Sequence, residues 1–274
     1  MATRTRRSQR RTEALSRERI VEAAIELLDA AGEGGLTFRA LSERLATGPG
    51  AIYWHVENKG ELLDAVTDAV VADAVAGGAS GASGEGGVAS GAAGAGGAGG
   101  EASGAAEVAE AAGAVGAGGP LGAAREGIQA VALGLFDAIE EHPWLATQLA
   151  TQLSRSPWGT VAPRLFESIG RQVRALGVPE DSWFTATSAL MHYILGAAGQ
   201  NAANSAGSRA LPPGVDRDQF LDTVSTAWEE LDPDEYPFTR SLAPQLRGHD
   251  DREQFLAGIT LIFAGITVVH PPAG

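Results

Sequence analysis

Apolar residues recur at helical spacing through most of the chain. Ile20, Ala23, Ala24, Leu27, Leu28 and Ala31 fall on one face of a helix that Ser16 can cap and Gly32 can stop. A second, short helix starts at Thr37 and turns Phe38, Leu41 and Leu45 inward. Only Ala46, Thr47 and Gly48 separate it from Pro49, which suits the first position of a third helix because it has no N–H to lose there. So short a connection forces the two helices to cross sharply. Asn58 and Glu61 form a possible capping box for a fourth helix bearing Leu62, Leu63, Val66, Ala69 and Val70.

The second half of the chain repeats the same period. Ile128, Val131, Leu135 and Ile139 mark one helix, Leu145, Leu149 and Leu153 another, and Leu165, Ile169, Val173 and Leu176 a third that Gly177 closes. Phe184, Thr187, Met191, Ile194 and Ala198 follow, then Phe220, Val224, Trp228 and Leu231, and last Phe255, Ile259, Ile262, Phe263 and Ile266. Asp216 with Gln219 and Asp250 with Glu253 suit capping boxes for the final two. No convincing strand alternation is present, so the expected fold class is all-α. The stretch 254–269 has no formal charge but falls short of the roughly 20 residues that span a bilayer, and reads as a buried helix. No membrane partner is expected.

Between residues 77 and 119, 17 of 43 positions are Gly and none is aromatic, too little apolar area to offset ordering entropy. The expected organisation is therefore a basic flexible arm over 1–15, a helix-turn-helix unit with its connecting helix over 16–76, a Gly/Ala-rich insertion over 77–120 and a larger helical domain over 121–274. The chain contains no Cys, which excludes disulfides, thiolate metal sites and a cysteine nucleophile. Its formal charge of -14 is unevenly spread. Residues 1–60 carry net +2, with seven Arg in the first nineteen positions, while the rest carries -16. One end can approach phosphate while the remainder repels it, which favours an oriented contact over indiscriminate coating. The basic N-terminus lacks the apolar stretch of a secretory signal, and a cytoplasmic location is expected.

Two short helices joined by a tight turn behind a basic arm suit a module whose second helix enters the major groove. The residues are Leu36-Thr37-Phe38-Arg39-Ala40-Leu41-Ser42-Glu43-Arg44-Leu45, then Gly50-Ala51-Ile52-Tyr53-Trp54-His55-Val56-Glu57-Asn58-Lys59-Gly60-Glu61-Leu62-Leu63. From Ser16 to Val70 this string strongly resembles the N-terminal domain of TetR (tetracycline-repressor-like) family regulators. The resemblance implies a recognition helix from Pro49 to His55 and places Arg39, Tyr53, His55 and Lys59 at DNA-contact positions. Tyr53 can pack on a sugar and offer its hydroxyl to a phosphate, His55 can donate to a phosphate, and Lys59 adds charge beside helix N-terminal amides. Base reading falls by the same resemblance on Pro49, Gly50 and Ala51, which have almost no hydrogen-bonding reach. Arg39 is thus the candidate for a guanine edge, with Pro49 and Ala51 offering contact to thymine methyls. Trp54 stays outside the site because core packing accounts for it equally well, and Arg44 is expected to pair with Glu43 or Glu26.

His142-Pro143-Trp144 and the run from His249 to Gly258 look similar to a tetracycline-repressor-type C-terminal domain. That likeness implies a homodimer built on a four-helix bundle and a pocket for a small effector. Gly258 and Gly265, with Ala257 and Ala264, give one helix a face open to close approach by a partner helix, although packing within one subunit explains them too. The Met191 and Phe255 helices are expected to form the dimer bundle. Trp144, Gln148 and Gln152 share a helix face, and with Trp158, Phe166, Trp183, His192 and Asn201 they are candidates to touch a small hydrophobic or aromatic effector, each explicable also as core. No cofactor and no metal are expected.

The reading that unites these features is a dimeric transcriptional repressor released by an effector from a palindromic double-stranded DNA operator. A regulator without small-molecule control, or an activator, is the alternative. An enzyme is disfavoured: Gly94, Gly96 and Gly99 match a dinucleotide fingerprint only by composition, with no strand before them. His142, His192 and His249 show no local metal spacing. A nonspecific DNA-coating protein fits the Arg arm but not the acidic remainder.

Overall fold

The structure is a computed structural model that describes residues 15–81, 119–156, 158–209 and 216–271. The basic arm, most of the Gly/Ala-rich segment and its glycine fingerprint lie outside the described residues. Within the described ones every regular element is helical. The chain divides into two compact units, Met1–Ala69 and Val70–Gly274, with the division falling inside one helix.

The first unit begins with α1 (Arg17–Gly35), whose N-cap Ser16 accepts from the Arg19 N–H at 3.3 Å. Gly32 does interrupt it, at φ 62° and ψ -169°, but a further irregular turn carries the assignment to Gly35. Thr37 caps α2 (Phe38–Arg44) by accepting from Ala40 N–H at 3.1 Å. The connection to α3 (Pro49–Tyr53) turns at Ala46, which takes the left-handed φ of 50°. Asn58 caps α4 (Lys59–Gly81) through its Oδ1, 2.9 Å from Glu61 N–H. The return bond expected to Asn58 goes one residue further, from Glu57 N–H to Glu61 Oε2 at 2.7 Å. Ile20, Ala24, Leu28, Leu36, Leu41, Ile52, Val56, Leu62 and Val66 form the core; of the other residues expected inward, Leu27, Phe38 and Leu45 are half-buried and Ala31 is exposed.

Among the described residues the second unit contains the end of α4, one 3-10 turn (Glu180–Ser182) and seven further α-helices: α5 (Pro120–Glu141), α6 (Trp144–Arg155), α7 (Val161–Ala175), α8 (Trp183–Arg209), α9 (Arg217–Glu229), α10 (Pro237–Arg247) and α11 (Asp251–Val269). Helix α8 is central and packs on α5, α6, α7 and α11. Val131, Leu135, Ile139, Leu145, Leu165, Ile169, Leu190, Ile194, Phe255 and Ile259 fill the space between them. Gly177 ends α7 at φ 81°, a conformation other residues resist. At Gly134 helix α5 meets the backbone of α4 so closely that a Cβ would overlap the Ala74 carbonyl. Asp216 and Asp250 cap α9 and α11 as their spacing predicts, at 2.9 and 2.7 Å.

Two expectations need correction. Helix α10, which carries Pro244 in its interior and buries only Ala243, has no counterpart among the expected helices. It pairs with α9, where Ser225 donates to the Ala243 carbonyl and Arg247 grips Asp222 and Glu229. The paired small residues of α11 also divide differently. Gly258 is covered by Tyr193 of the same chain, whereas nothing among the described residues lies within 4 Å of a Cβ at Gly265. Helix α11 is long and apolar enough to cross a membrane by those measures alone, but Phe255, Ile259 and Phe263 are buried within the unit.

Candidate nucleic-acid interface and effector cavity

Helix α3 is held by its inward side, where Ile52 and the following Val56 are buried. That anchoring leaves Pro49, Gly50 and Tyr53 exposed and Ala51 and His55 half-buried. A Cβ at Gly50 would meet nothing within 4 Å, so the tip of the helix is bare of side-chain reach and sterically open. Tyr53 is 52% exposed, with its ring stacked on Phe38 at 4.6 Å between centroids and 13° between planes. The stacking fixes the ring while about half of the residue stays exposed. Trp54, for which core packing was the competing explanation, is 89% exposed because it follows the last inward position of a five-residue helix.

Arg39 stands on the exposed face of α2 and pairs with Glu43 one turn on, Nε to Oε1 at 3.0 Å. With Ser42, Ala46, Thr47, Gly48 and Pro49 it borders a shallow recess, which brings Arg39 and Pro49 together beside the turn. Lys59 opens α4, but its ammonium is directed at α1, donating to the Glu33 carbonyl at 2.6 Å with the Glu33 carboxylate at 3.8 Å. Any phosphate contact by Lys59 competes with that tie. His55 lies near Glu18, whose carboxyl is held below the ordinary range by hydrogen bonds to its own backbone and Ser16, with His55 adding a smaller electrostatic pull. Arg44 pairs with Glu26.

In the second unit a cavity of about 910 Å³ opens between α4, α5 and α7. Small apolar residues form one side: Ala72, Val75 and Ala76 of α4 with Ala123, Gly127 and Val131 of α5. Helix α7 forms the other with Arg164, Glu167, Ser168, Arg171 and Gln172, and Trp158 stands before it. Of the eight residues expected to touch an effector, Trp158 alone lines this cavity. Trp144, Gln148 and Gln152 share a face as predicted, but that face is buried in the interior. Phe166 stacks on Phe184, and Trp183 donates its indole N–H to the Val178 carbonyl at 2.6 Å. His192 is exposed on α8, and buried Asn201 belongs to a separate recess of about 430 Å³ with Phe136, Glu140 and Arg252. The space is framed by alanine and glycine and not by the aromatic walls expected, and the small-residue faces of α4 and α5 are the sequence signal that marks it. Among the described residues no cluster of His, Asp and Glu could hold a metal ion.

Described residues that are all helical, with a helix-turn-helix unit and a second helical unit bearing a cavity, have the architecture of a DNA-binding regulator. Comparisons with known proteins fix the family. Residues 20–66 match the model for bacterial regulatory proteins of the tetR family, and residues 120–270 match the tetracyclin repressor-like C-terminal domain. The chain belongs to the TetR family. It is 61% identical to a TetR transcriptional regulator of known structure from Streptomyces coelicolor, over 94% of this chain and 100% of that one, with a TM-score of 0.71. It is 25% identical to a helix-turn-helix-type transcriptional repressor from Streptomyces coeruleorubidus over 93% of this chain and 78% of the relative. The class C tetracycline repressor protein of Escherichia coli is 47% identical, but over 57 residues, 21% of this chain. That match spans about a quarter (26%) of the repressor's own length.

Proposed function

We propose that the protein is a dimeric, sequence-specific transcriptional repressor that leaves a palindromic operator when a small molecule enters the α4–α5–α7 cavity. The observation that carries this reading is α4 itself, one continuous helix from Lys59 beside the recognition helix to Val75 and Ala76 in the cavity wall. A ligand that favours one setting of α4 acts on the helix that follows the recognition helix in the chain, and the coupling is reciprocal: the operator must weaken the effector by the factor the effector weakens the operator.

In this proposal Tyr53 and His55 position the protein on phosphates, Lys59 adds charge there, and Arg39 reads a base edge with Pro49, Gly50 and Ala51 lying close against the groove floor. Dimerisation uses α8 and α11. In support, Leu261, Val268 and Val269 are exposed on α11, alongside open Gly265, and α8 presents Ala189, His192, Gly196 and Ala203 outward. Exposed apolar and small residues at helical spacing on two packed helices suit a partner's matching pair. The regulator acts in the cytoplasm, where its operator is.

The test is titration of the full chain onto its operator with and without cavity-directed compounds. A compound that binds the second unit must lower operator affinity; if every such binder leaves DNA affinity unchanged, effector control is wrong and the protein regulates without it.

A further inference from the structure

We propose that the recess beside Asn201 is a second ligand site, separate from the α4–α5–α7 cavity, and that it takes a small protonated amine carrying hydroxyl or amide groups. The site stands whether or not an effector enters the other cavity.

Asn201 is only 6% exposed, yet its side-chain amide has no hydrogen-bond partner among the described residues, and it lines a recess of about 430 Å³. A primary amide carries two N–H donors and a carbonyl acceptor, and burying it unpaired costs free energy that an apolar residue would not incur. The amide is not sealed in. Among the described residues the one fully enclosed side-chain polar atom without a partner is Ser188 Oγ, so the little surface Asn201 retains opens into the recess it lines. Ser205, one turn further along α8 on the same wall, has no partner either.

The charges around this amide are paired on one side and open on the other. Arg252 lies over the ring of Phe136, 5.8 Å from its centroid, and holds Asp137. Arg217 holds Asp251, which His249 also approaches at 3.1 Å. Both guanidiniums therefore already have carboxylates. Glu140 lies in the same wall and makes no hydrogen bond or ion pair among the described residues. Asp250 spends one oxygen on the Glu253 N–H that it caps, at 2.7 Å. The guanidinium of Arg252 feels the surplus: its proton is held more firmly than usual, chiefly by the Asp137 hydrogen bond, with Glu140 and Asp250 adding weaker pulls.

That surplus selects the ligand. An ammonium group can sit against Glu140 and Asp250 while its neighbouring hydroxyl or amide groups satisfy Asn201 and Ser205. An anion would have to displace Asp137 or Asp251 from an arginine, and a neutral molecule would cover Glu140 without pairing it. The walls come from α5, α8, α9 and the start of α11, so an occupant ties four helices of the second unit together.

The experiment titrates the full chain by calorimetry at low salt with matched probes: glucosamine against glucose, tris(hydroxymethyl)aminomethane against pentaerythritol, and glucuronate as the anion. At least one amine should bind about tenfold more tightly than its neutral partner, as expected for a charge-assisted hydrogen bond, and glucuronate should bind most weakly. Glu140→Gln should remove the advantage of the amine. Ser205→Ala and Asn201→Leu should each weaken it by about fivefold. Without probe, Asn201→Leu should melt no lower than the parent, because it breaks no hydrogen bond; an amide kept for the fold would lower the melting temperature. If no amine binds, if amine and neutral partner bind equally, or if amine binding ignores Glu140→Gln and Ser205→Ala, the proposal is overturned.

Discussion

Tyr193 lies across Gly258. Its hydroxyl donates toward the Phe255 carbonyl at 3.1 Å and the Gln254 carbonyl at 3.3 Å, and the ring stacks on Phe255 with centroids 5.9 Å apart. The absent side chain at Gly258 is what admits the ring, because a Cβ there would overlap the phenol. The pair pins α8 to the first turns of α11.

Gly258→Ala should therefore destabilise the second unit by about 1–3 kcal/mol, the usual cost of overpacking. Tyr193→Phe should cost about 1 kcal/mol for the lost hydrogen bond. The double variant Tyr193→Ala/Gly258→Ala should cost less than the sum of its parts, since the first change removes the obstacle to the second. Urea unfolding of the parent, Gly258→Ala, Tyr193→Phe, Tyr193→Ala and the double variant measures this. Burial pushes the Tyr193 hydroxyl above the ordinary tyrosine value of 10.0, so its contribution is complete below that pH and is lost as pH rises through the elevated value.

The open end of α11 behaves differently if it meets a partner. Leu261→Asp and Gly265→Arg should leave single-chain folding intact while converting dimer to monomer in sedimentation equilibrium, because both positions are exposed within the chain. A dimer that persists in both variants would contradict an interface on this face.

Arg247 bridges Asp222 at 2.9 Å and Glu229 at 2.7 Å, joining α10 to α9. The Arg247 hydrogen bond holds the Glu229 carboxyl below its ordinary value of 4.5. A depressed carboxyl stabilises the fold above its unfolded value and loses that contribution as pH falls through the folded one. Arg247→Met should accordingly lower thermal stability near neutral pH, and its difference from the parent should shrink as the solution is acidified below 4.5. A gap that is constant with pH would show that the guanidinium contributes packing and not charge.

On DNA, Tyr53→Phe keeps the stacking on Phe38 and removes the hydroxyl. It should weaken operator and non-operator duplexes alike, by about 1 kcal/mol. Arg39→Ala should instead relax preference at one base pair, worth about 1–3 kcal/mol of discrimination. Fluorescence anisotropy against a panel of single-base operator variants separates the two patterns.

Local chemistry made much of this fold legible in advance. Ser16, Thr37, Asp216 and Asp250 each cap a helix by a bond to a backbone N–H a few residues away, so the sequence neighbourhood contains the whole interaction. Gly177 likewise announces its left-handed turn. Helix α10 was hidden because its support is tertiary: Pro244 breaks the local signal, and the helix is held by Arg247 and Ser225 bonds to and from α9. The outward-facing residues of α3 could be placed because a five-residue helix with Ile52 and Val56 inside leaves little choice about what faces out. Trp54 went unplaced because an aromatic next to a core position suits either side until the turn is seen. Of the expected effector residues Trp158 alone pointed to the cavity, since its space is made by what is missing from Ala76, Ala123 and Gly127.

The central claim is sequence-specific operator recognition by a two-fold assembly, and selection of bound duplexes from a random DNA pool at physiological salt tests it most directly. The account predicts enrichment of an inverted repeat with half-sites separated by about one helical turn, or a multiple of it. Enrichment of a single unrepeated site, or affinity equal on all sequences with one common salt slope, would contradict it.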